Sequence, residues 1–332
     1  MPPTALTIGT FDGVHVGHAA LLARCRHHAG PGGRVIAMVF DPHPLTALRP
    51  DAAPARLSTF EQREAWLKAA GADEVHRLLP TPDQLDLSPH EFAHDFATRF
   101  APTWVVEGFD FRFGKGRQGD VLTLDTLGRQ MNFQVDVLPP VEVALSDQLI
   151  VRASSSLARW LINGARAADA AIVLGRPYEL VGEVRRGDRR GRTIGFPTAN
   201  LSTDLLLPAD GVYAADAILP DGRQARAAMN IGTRPTFSGH ERRAEIHILD
   251  LPRDPQGSDS SIPGLPEYHW PLRVRLLAFL RDQVKFASID ALTSQLQRDI
   301  ARARAWQPHA FPAAGGTGVP PVRELAPAPS TH

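Results

Sequence analysis

The stretch from Leu6 to His18, LTIGTFDGVHVGH, decides the fold of this chain. A short apolar run breaks into a glycine-rich turn, two histidines follow, and an alanine- and leucine-rich segment begins at Ala19. This order predicts a strand, a tight turn and a helix. Glycines let backbone amides approach a ligand closely, and the N-terminus of a helix favours negative charge. The stretch therefore predicts a site for a polyphosphate.

Two histidines, His15 and His18, stand where the predicted helix begins. Imidazole N–H groups can donate hydrogen bonds to phosphate oxygens as charge builds on them. The pattern therefore indicates chemistry on a nucleotide, not binding alone. A helix start with two solvated histidines is the alternative interpretation. The position after the first strand and the turn at Gly9 and Gly13 favour the functional one.

Composition bounds the class of protein. The chain has 332 residues, and 36 Lys plus Arg balance 36 Asp plus Glu. Two domains are therefore expected, and binding to nucleic acid or to an anionic membrane is disfavoured. The single cysteine, Cys25, cannot form an internal disulfide. The absence of a leader-like start and of a long apolar run predicts a cytoplasmic location.

The first 165 residues alternate strand-like and helix-like stretches, which predicts a parallel sheet covered on both faces. The predicted strands after the opening one are 35–40, 74–79 and 104–107, and the predicted helices are 60–70, 88–100 and 154–163. The second strand ends at Asp41-Pro42-His43-Pro44, whose prolines predict an extended exit.

After about residue 175, short strand signals separated by turn residues predict a small antiparallel barrel. The predicted strands are 178–184, 211–219, 224–231, 244–249 and 272–280, and an amphipathic helix is predicted over 289–304. Residues 251–271 are predicted to form a long loop. The domains are therefore predicted at 1–170 and 171–306, with a disordered tail over 307–332.

A second candidate site lies where the predicted strand 104–107 ends, at the usual ligand edge of such a sheet. Here GFDFRFGKGR, from Gly108 to Arg117, interleaves three aromatic rings with an acid and several cations. Rings can stack on a flat heteroaromatic ligand, and cations can hold its phosphate. For Phe111 and Phe113, a role as core anchors stays an open alternative.

A third candidate is SSSLAR, from Ser154 to Arg159. Serines at a helix start cap the helix, so a structural role alone would explain Ser154 or Ser155. The same amides and hydroxyls, with Arg159 one turn along, could also bind the phosphates of a triphosphate.

Two further features fall in the predicted barrel. Glycines and cations over 187–195 precede a Pro-Thr-Ala-Asn run in which Thr198 and Asn200 offer oxygens suited to Mg²⁺ beside phosphates. A basic hairpin followed by a turn is the alternative. Glu245 lies in the apolar strand AEIHIL, where a carboxylate is expected either to face solvent or to have a functional role. Taken alone, Glu245 would be read as a solvated residue of an edge strand.

Together these motifs resemble one family, the bacterial bifunctional riboflavin kinase and FMN adenylyltransferase, also called FAD synthetase. The resemblance runs in order from about Leu6 to Arg304. Besides the stretches already quoted, it rests on Leu174-Gly175-Arg176-Pro177-Tyr178, on 230–237, and on Phe279-Leu280-Arg281 with Lys285-Phe286.

The resemblance implies a Rossmann-like nucleotidyltransferase domain followed by a flavokinase β-barrel with a C-terminal helix. It implies that ATP phosphorylates riboflavin to FMN, and that a second ATP adenylylates FMN to FAD with release of pyrophosphate. Mg²⁺ is the implied cofactor, and riboflavin, FMN and ATP are the implied partners. Neither nucleic acid nor a membrane is expected as a partner, and a monomer or a weak homo-oligomer is expected.

The resemblance also assigns residues. Glu245 matches the family's catalytic glutamate, and an alcohol nucleophile needs such a base. His15, His18 and Arg159 are the other implied catalytic residues, since they suit stabilisation of the departing pyrophosphate. The implied ATP-binding residues are Gly9, Thr10, Phe11, Asp12, Gly13, Gly17, Ser154, Ser155, Ser156, Gly187, Arg189, Gly195 and Thr198. The implied flavin-binding residues are Asp41, His43, Phe109, Asp110, Arg112 and Phe113, and Thr198 and Asn200 are the implied metal ligands.

Two alternatives stay open beside the bifunctional enzyme. In one, only one half of the chain is active; in the other, the chain is a non-catalytic flavin- or nucleotide-binding regulator. The intact histidine pair and the set of Thr198, Asn200 and Glu245 argue against both. One departure from the family pattern concerns charge: Glu107 stands where a small apolar residue is more usual, which puts the local charge near FMN in question.

Overall fold

The computed structural model describes residues 2–187, 195–236, 239–251 and 262–307, and it leaves aside the side chains of 234–241. A five-stranded parallel sheet is followed by a closed six-stranded antiparallel barrel and then by a long helix. The predicted fold class is confirmed. The predicted tail from 308 onward and residues 252–261 of the predicted loop 251–271 lie outside the described residues.

The first part of the chain forms the sheet and its covering helices. Its strands are β1 Thr4–Gly9, β2 Arg34–Phe40, β3 Glu74–Leu78, β4 Trp104–Gly108 and β5 Gln134–Leu138. Its helices are α1 Val16–Ala29, α2 Leu45–Leu48, α3 Phe60–Ala69, α4 Pro82–Asp86, α5 Pro89–Phe100 and α6 Val121–Met131. Two short 3₁₀ helices cover Pro50–Ala52 and Lys115–Arg117.

The order of strands in the sheet is β3-β2-β1-β4-β5. The chain therefore reverses its direction of winding between β1 and β4. β1 pairs with β2 along its whole length, but it pairs with β4 only through Ala5 and Leu6. The carboxyl ends of β1 and β4 thus separate at the switch point, which is where parallel sheets of this type bind ligands.

Glu107 closes the gap in pairing between β1 and β4. The backbone N–H of Ile8 donates to Glu107 Oε1 at 2.6 Å. The carboxyl group is buried, and burial raises its pKa well above the usual value. Burial therefore favours the neutral acid. Glu107 hydrogen-bonds the backbone of β1 within the sheet and does not place a negative charge at the predicted flavin site.

Both faces of the sheet are covered, as predicted. On one face, Leu6 and Ile8 share a core cluster with Phe96 of α5 and Leu124 of α6. On the other face, the alternate residues of β1 and β2 share a cluster with residues of α1 and α3, namely Ala5, Val35, Ala37, Leu22 and Leu67. This alternation is the signature of a strand buried on both sides.

A hairpin and two helices lead to the barrel. They are β6 Glu142–Ala144, β7 Ile150–Arg152, α7 Ser155–Asn163 and α8 Ala167–Leu174. The barrel strands are β8 Tyr178–Arg185, β9 Ala199–Ser202, β10 Gly211–Ile218, β11 Gln224–Thr236, β12 Gly239–Ile248 and β13 Pro271–Arg281, and the last helix is α9 Ile289–Ala305. The barrel order is β10-β11-β12-β9-β8-β13, and β13 pairs with β10 to close it.

The barrel and the two preceding helices share one core. Tyr213, Met229 and Ile246 from the barrel belong to the same buried cluster as Leu161 of α7 and Val173 of α8. The domain boundary predicted at 170/171 falls within α8 and stays a prediction. None of the helices in the described part of the chain is both long and apolar enough to span a membrane.

Candidate functional site

The chain makes a tight turn from Thr10 to Val14 between β1 and α1, as the sequence predicted. Phe11, Gly13 and Val14 have positive φ angles of 48°, 79° and 39°. A positive φ is a genuine outlier for a β-branched residue such as valine. The glycine at 13 fits the left-handed backbone without strain, and a Cβ there would lie 3.0 Å from a side-chain carbon of Leu57.

His15 and His18 begin α1. His15 Nδ1 accepts a hydrogen bond from the backbone N of Gly17 at 3.1 Å, and His18 Nδ1 accepts one from the backbone N of His15 at 3.2 Å. The pair forms a reciprocal capping box, a motif more often built from Ser or Thr with Glu or Gln. Because both Nδ1 atoms accept, each neutral ring carries its proton on Nε2.

The environment keeps both rings neutral. Burial, followed by the charges of Arg152 and Arg176, lowers the pKa of His15 to about 4. Burial, followed by His15 and Arg176, lowers the pKa of His18 well below its ordinary value. The two rings stack with their centroids 3.6 Å apart. The alternative of two solvated histidines is wrong for His15, which is only 8 % exposed.

Asp12 lies at the centre of a buried hydrogen-bond network. Its carboxylate accepts from the backbone N of Leu57 and from the backbone N and hydroxyl of Ser58, at 2.8 to 3.2 Å. It also pairs with Arg159 Nη2 at 2.5 Å. A carboxylate would repel a phosphate directly, so this arrangement lets Asp12 orient the Arg159 guanidinium.

The serine run begins α7 beside the same turn. Ser154 Oγ accepts from the backbone N of Leu157 at 3.1 Å and caps the helix. Ser155 Oγ donates to the carbonyl oxygen of Asp12 at 2.7 Å. Ser156 is exposed. The structure thus brings the N-termini of α1 and α7 to one turn, although these helices are about 140 positions apart.

The predicted flavin residues at the end of β2 differ in their surroundings. Asp41 is buried and pairs with Arg63 and Arg77. Its carboxylate therefore holds the edge of the sheet. His43 Nδ1 accepts from the backbone N of Leu45 at 3.1 Å. Burial, and then the nearby Arg159, lowers the pKa of His43.

The predicted flavin residues at the end of β4 also differ in their exposure to solvent. Phe109 is 41 % exposed, and the guanidinium of Arg152 lies 4.4 Å from its ring centroid. Arg152 also pairs with Asp110, and Arg112 is exposed. Phe113 is 5 % exposed and belongs to the core beneath the sheet. The core-anchor interpretation therefore describes Phe113, and it also fits Phe111, which is partly buried and packs against the same core. Phe109, Asp110 and Arg112 lie on the surface, and Arg112 pairs with Asp120.

A second site lies on the barrel. Glu245 of β12 stands opposite Asn200 of β9 on one side and opposite Asn230 of β11 on the other. The residues on either side of Glu245, Ala244 and Ile246, are fully buried, so the three polar side chains share the outer face. Asn230 Nδ2 donates to Glu245 Oε2 at 3.4 Å. The edge-strand interpretation of Glu245 is wrong, because β12 has a partner strand on each side.

Asn200 is closely surrounded. Its Oδ1 is buried and has no hydrogen-bond partner within the described residues. A Cβ at Gly187 would lie 2.1 Å from Asn200 Nδ2, so only glycine leaves room for this amide. His247 Nδ1 donates to the carbonyl oxygen of Pro197 at 2.8 Å and fixes the run before β9, where Thr198 is exposed. Arg189, predicted to bind ATP, lies outside the described residues.

Sequence reasoning missed several residues of these sites. Arg152 stands two positions before the serine run. A cation beside a predicted phosphate-binding run could have indicated that Arg152 belongs to the site. Gln283 Nε2 donates to Asn230 Oδ1 at 3.0 Å and to the carbonyl oxygen of Ile231 at 2.8 Å. Strand register brings Asn230 to Glu245, and nothing in the local sequence announces that pairing.

Within the described residues, no cluster of three or more His, Cys, Asp or Glu side chains could hold a metal ion. Mg²⁺ takes oxygen ligands and usually keeps several waters, and in phosphoryl-transfer sites substrate phosphates supply part of its coordination.

The chain is similar to known proteins along nearly its whole length. The FAD synthetase family model matches residues 1–151, and the riboflavin kinase family model matches residues 174–307. A bifunctional riboflavin kinase/FMN adenylyltransferase of Escherichia coli K12 is 34 % identical over 306 residues, which is 90 % of this chain and 91 % of the relative. One from Pseudomonas fluorescens is 35 % identical over 306 residues, again 90 % of this chain and 91 % of the relative.

A solved structure shares the fold. It is described as a macrolide-efflux protein from Streptococcus pneumoniae, and it superposes with a TM-score of 0.79 at 30 % sequence identity. The match covers 92 % of this chain and 96 % of that one. The order of the two domains is therefore shared as well as each fold.

Proposed function

Because the chain belongs to the family of bifunctional riboflavin kinase/FMN adenylyltransferases, we propose that it phosphorylates riboflavin to FMN and then joins FMN to AMP, giving FAD and pyrophosphate. The observation that carries the proposal is the presence of two chemically different sites. A pair of neutral imidazole donors lies at the sheet edge, and a glutamate in a row of amides lies on the barrel. Each suits one of two reactions of ATP.

Adenylylation needs donors rather than a base. The phosphate of FMN is already anionic, so the site must align it with the α-phosphorus of ATP and stabilise the pyrophosphate that leaves. We assign this work to the Nε2–H groups of His15 and His18, to Arg159 and to the N-terminal amides of α1 and α7. Donors that are already fixed by hydrogen bonds need no reorganisation as charge develops.

Phosphorylation of riboflavin needs a base. The 5′-hydroxyl is a poor nucleophile at neutral pH, and a carboxylate that accepts its proton lowers the barrier. We assign this role to Glu245. Asn230 donates to one of its oxygens, which restricts how the carboxylate can turn.

Mg²⁺ fits the barrel site. The buried Oδ1 of Asn200 lacks a partner within the described residues, and the exposed hydroxyl of Thr198 is two positions away. These two oxygens would hold the ion. When bound, Mg²⁺ offsets negative charge on the phosphates of ATP.

For the flavin of the first domain we propose the exposed group of Phe109, Asp110 and Arg112 together with His43. Asp41 and Phe113 are buried, and they would act from behind by holding the loops that carry these residues. The predicted cytoplasmic location and the monomeric or weakly oligomeric state remain proposals.

The test is purified protein with riboflavin and MgATP, with the flavins separated by chromatography. We expect FMN to appear first and FAD to follow, and supplied FMN to give FAD directly. FMN alone would restrict the activity to the kinase, and FAD from supplied FMN alone would restrict it to the adenylyltransferase. Flavin binding without either product would overturn both activities in favour of a regulator.

A further inference from the structure

Every carbonyl oxygen of the turn from Thr10 to Val14 has a hydrogen-bond donor. The five contacts are Arg63 Nη1 to Thr10 O at 2.8 Å, Val14 N to Phe11 O at 3.0 Å, Ser155 Oγ to Asp12 O at 2.7 Å, Arg176 Nη2 to Gly13 O at 2.5 Å and Arg176 Nη1 to Val14 O at 2.9 Å. A backbone with three positive φ angles persists only when its surroundings over-determine it. Arg176 alone supplies two of the five contacts.

Arg176 lies in the second domain of the sequence, but most of its side-chain contacts are with the first domain. It lies between α8 and β8, within the residues that the riboflavin kinase model matches. Apart from a bond to Leu174 O, the hydrogen bonds of its guanidinium within the described residues end on Gly13 and Val14. The guanidinium also lies 3.5 Å from the ring centroid of Trp66 in α3.

The guanidinium shape suits this task. Its planar fork presents N–H groups that reach two consecutive carbonyl oxygens at once, whereas the ammonium of lysine is a point donor. Burial lowers the pKa of Arg176 to about 9, with Glu179 acting in the opposite direction. The group therefore stays charged at neutral pH. Its charge also disfavours protonation of His15 and His18, the residues that follow the turn.

A second contact between the domains lies close by but does not touch the turn. Gln62 Nε2 of α3 donates to Glu179 Oε1 at 3.3 Å, and Arg275 Nε of β13 donates to Glu179 Oε2 at 3.0 Å. Arg275 and Glu179 lie on paired strands of the barrel, so of these two bonds only the one from Gln62 crosses between the domains. Gln62→Glu removes this donor and keeps the oxygen that accepts from the backbone N of Thr59, so it offers a control that only loosens the interface.

We propose that Arg176 is a positioning residue for adenylylation, supplied to the first domain by the entry segment of the second. It holds the carbonyls of Gly13 and Val14, and through them the position of the His15 ring at the start of α1. The proposal rests on the proposed adenylyltransferase activity of the first domain.

The test compares Arg176→Ala and Arg176→Lys with the wild type, using the full-length protein. We expect kcat for FAD formation from supplied FMN to fall by about 10²-fold, with KM for ATP nearly unchanged, because misplaced donors are lost mainly in the transition state. FMN formation from riboflavin should stay at the wild-type rate and so report a folded barrel. Guanidinium ion at a non-denaturing concentration should restore FAD formation in Arg176→Ala but not in Arg176→Lys, whose side chain fills the space.

The control is Gln62→Glu, which removes the bond to Glu179 across the interface and should form FAD at the wild-type rate. Wild-type FAD formation in both Arg176 variants would overturn the proposal. An equal loss in Gln62→Glu would also overturn it, since loosening of the interface would then be the cause. Should Arg176→Ala fail to fold, the kcat and KM of Arg176→Lys decide between the same outcomes. A wild type that makes FMN but no FAD would instead defeat the adenylyltransferase assignment itself.

Discussion

The two candidate sites are built by different means. The turn after β1 is held by residues that are distant in sequence: Ser58, Ser155 and Arg176 all reach the segment from Asp12 to Val14. The row of Asn200, Glu245 and Asn230 instead lies on three adjacent strands, and strand register alone places its members side by side.

The two sites therefore depend on different parts of the sequence. The turn depends on particular side chains at several remote positions, so substitutions far from the reacting atoms should lower the rate of adenylylation. The row depends on its own three residues and on glycines that leave room for the neighbouring amide side chains. Gly187 leaves room for the amide of Asn200, and Gly232 leaves room for that of Gln283, since a Cβ would approach each amide nitrogen to 2.1 Å.

The largest expected effect tests whether the row acts alone. Glu245→Gln removes the proposed base while keeping a side chain of nearly the same shape. FMN formation from riboflavin should fall by about 10²–10⁴-fold, which is the usual contribution of a general base. FAD formation from supplied FMN should stay unchanged, and both rates are measured by chromatography of the flavins. Loss of both activities in a folded protein would show that the two sites are not independent.

The next effect separates the chemistry of the histidines from their capping role. His18→Gln keeps an acceptor for the backbone N of His15, and His15→Asn keeps one for the backbone N of Gly17, because Gln and Asn suit these two capping positions. Each variant should still fold and should lose about 10²–10³-fold in FAD formation, the usual loss for one fixed donor.

The two readouts for these variants are the kinase rate and the FAD rate in the same preparation. The kinase rate should match the wild type in both. FAD formation at the wild-type rate in either variant would mean that the histidine at that position contributes only a cap.

The buried histidine should also make stability depend on pH. The folded-state pKa of His15 is about 4, and the unfolded-state pKa is about 6.5. Above pH 6.5 the ring is neutral in both states. As the pH falls through 6.5 toward 4, the unfolded chain takes up a proton that the folded ring does not. The folded state therefore loses on the order of 3 kcal/mol by pH 4.

Urea unfolding of the wild type and of His15→Asn at pH 7 and pH 4.5 measures this difference. The lowered pKa of His18 adds in the same direction, whereas the raised pKa of Glu107 makes stability fall as the pH rises above about 4.5. Both groups remain in the variant, but His15 also helps to lower the pKa of His18. The difference between the two proteins therefore reports His15 together with its effect on His18. Parallel stability curves would contradict the neutral, buried state of this ring.

The difference between local and long-range contacts also explains which parts of the structure could be predicted from the sequence. The strand, turn and helix from Leu6 onward were predictable because apolar runs, glycines and caps act over a few residues. The convergence of β2 and β4 on the same edge followed from the parallel sheet. The ion pairs of Asp41 with Arg63 and Arg77 could not be predicted, since those partners lie 22 and 36 positions away in the sequence.

On the barrel, Glu245 and Asn200 were recognisable, but their pairing with Asn230 was not. Strand β9 was missed because it is only four residues long, begins two positions after Pro197, and carries only one buried side chain, Leu201. Register across separate strands is fixed by the closed barrel, and no local pattern encodes it.

The smallest expected effect tests the space behind the row. Gly187→Ala would place a methyl group on the amide of Asn200 and push it from its position between β8 and Glu245. The kinase rate should fall by at most about 10²-fold, because a small misplacement of a positioning group has that cost. If Gly187 matters only through Asn200, the same change should have little further effect in an Asn200→Ala background, since two changes on one contact are not additive. Equal losses in both backgrounds would assign Gly187 a role of its own, and an unchanged FAD rate in all three variants would confirm that the turn does not depend on this row.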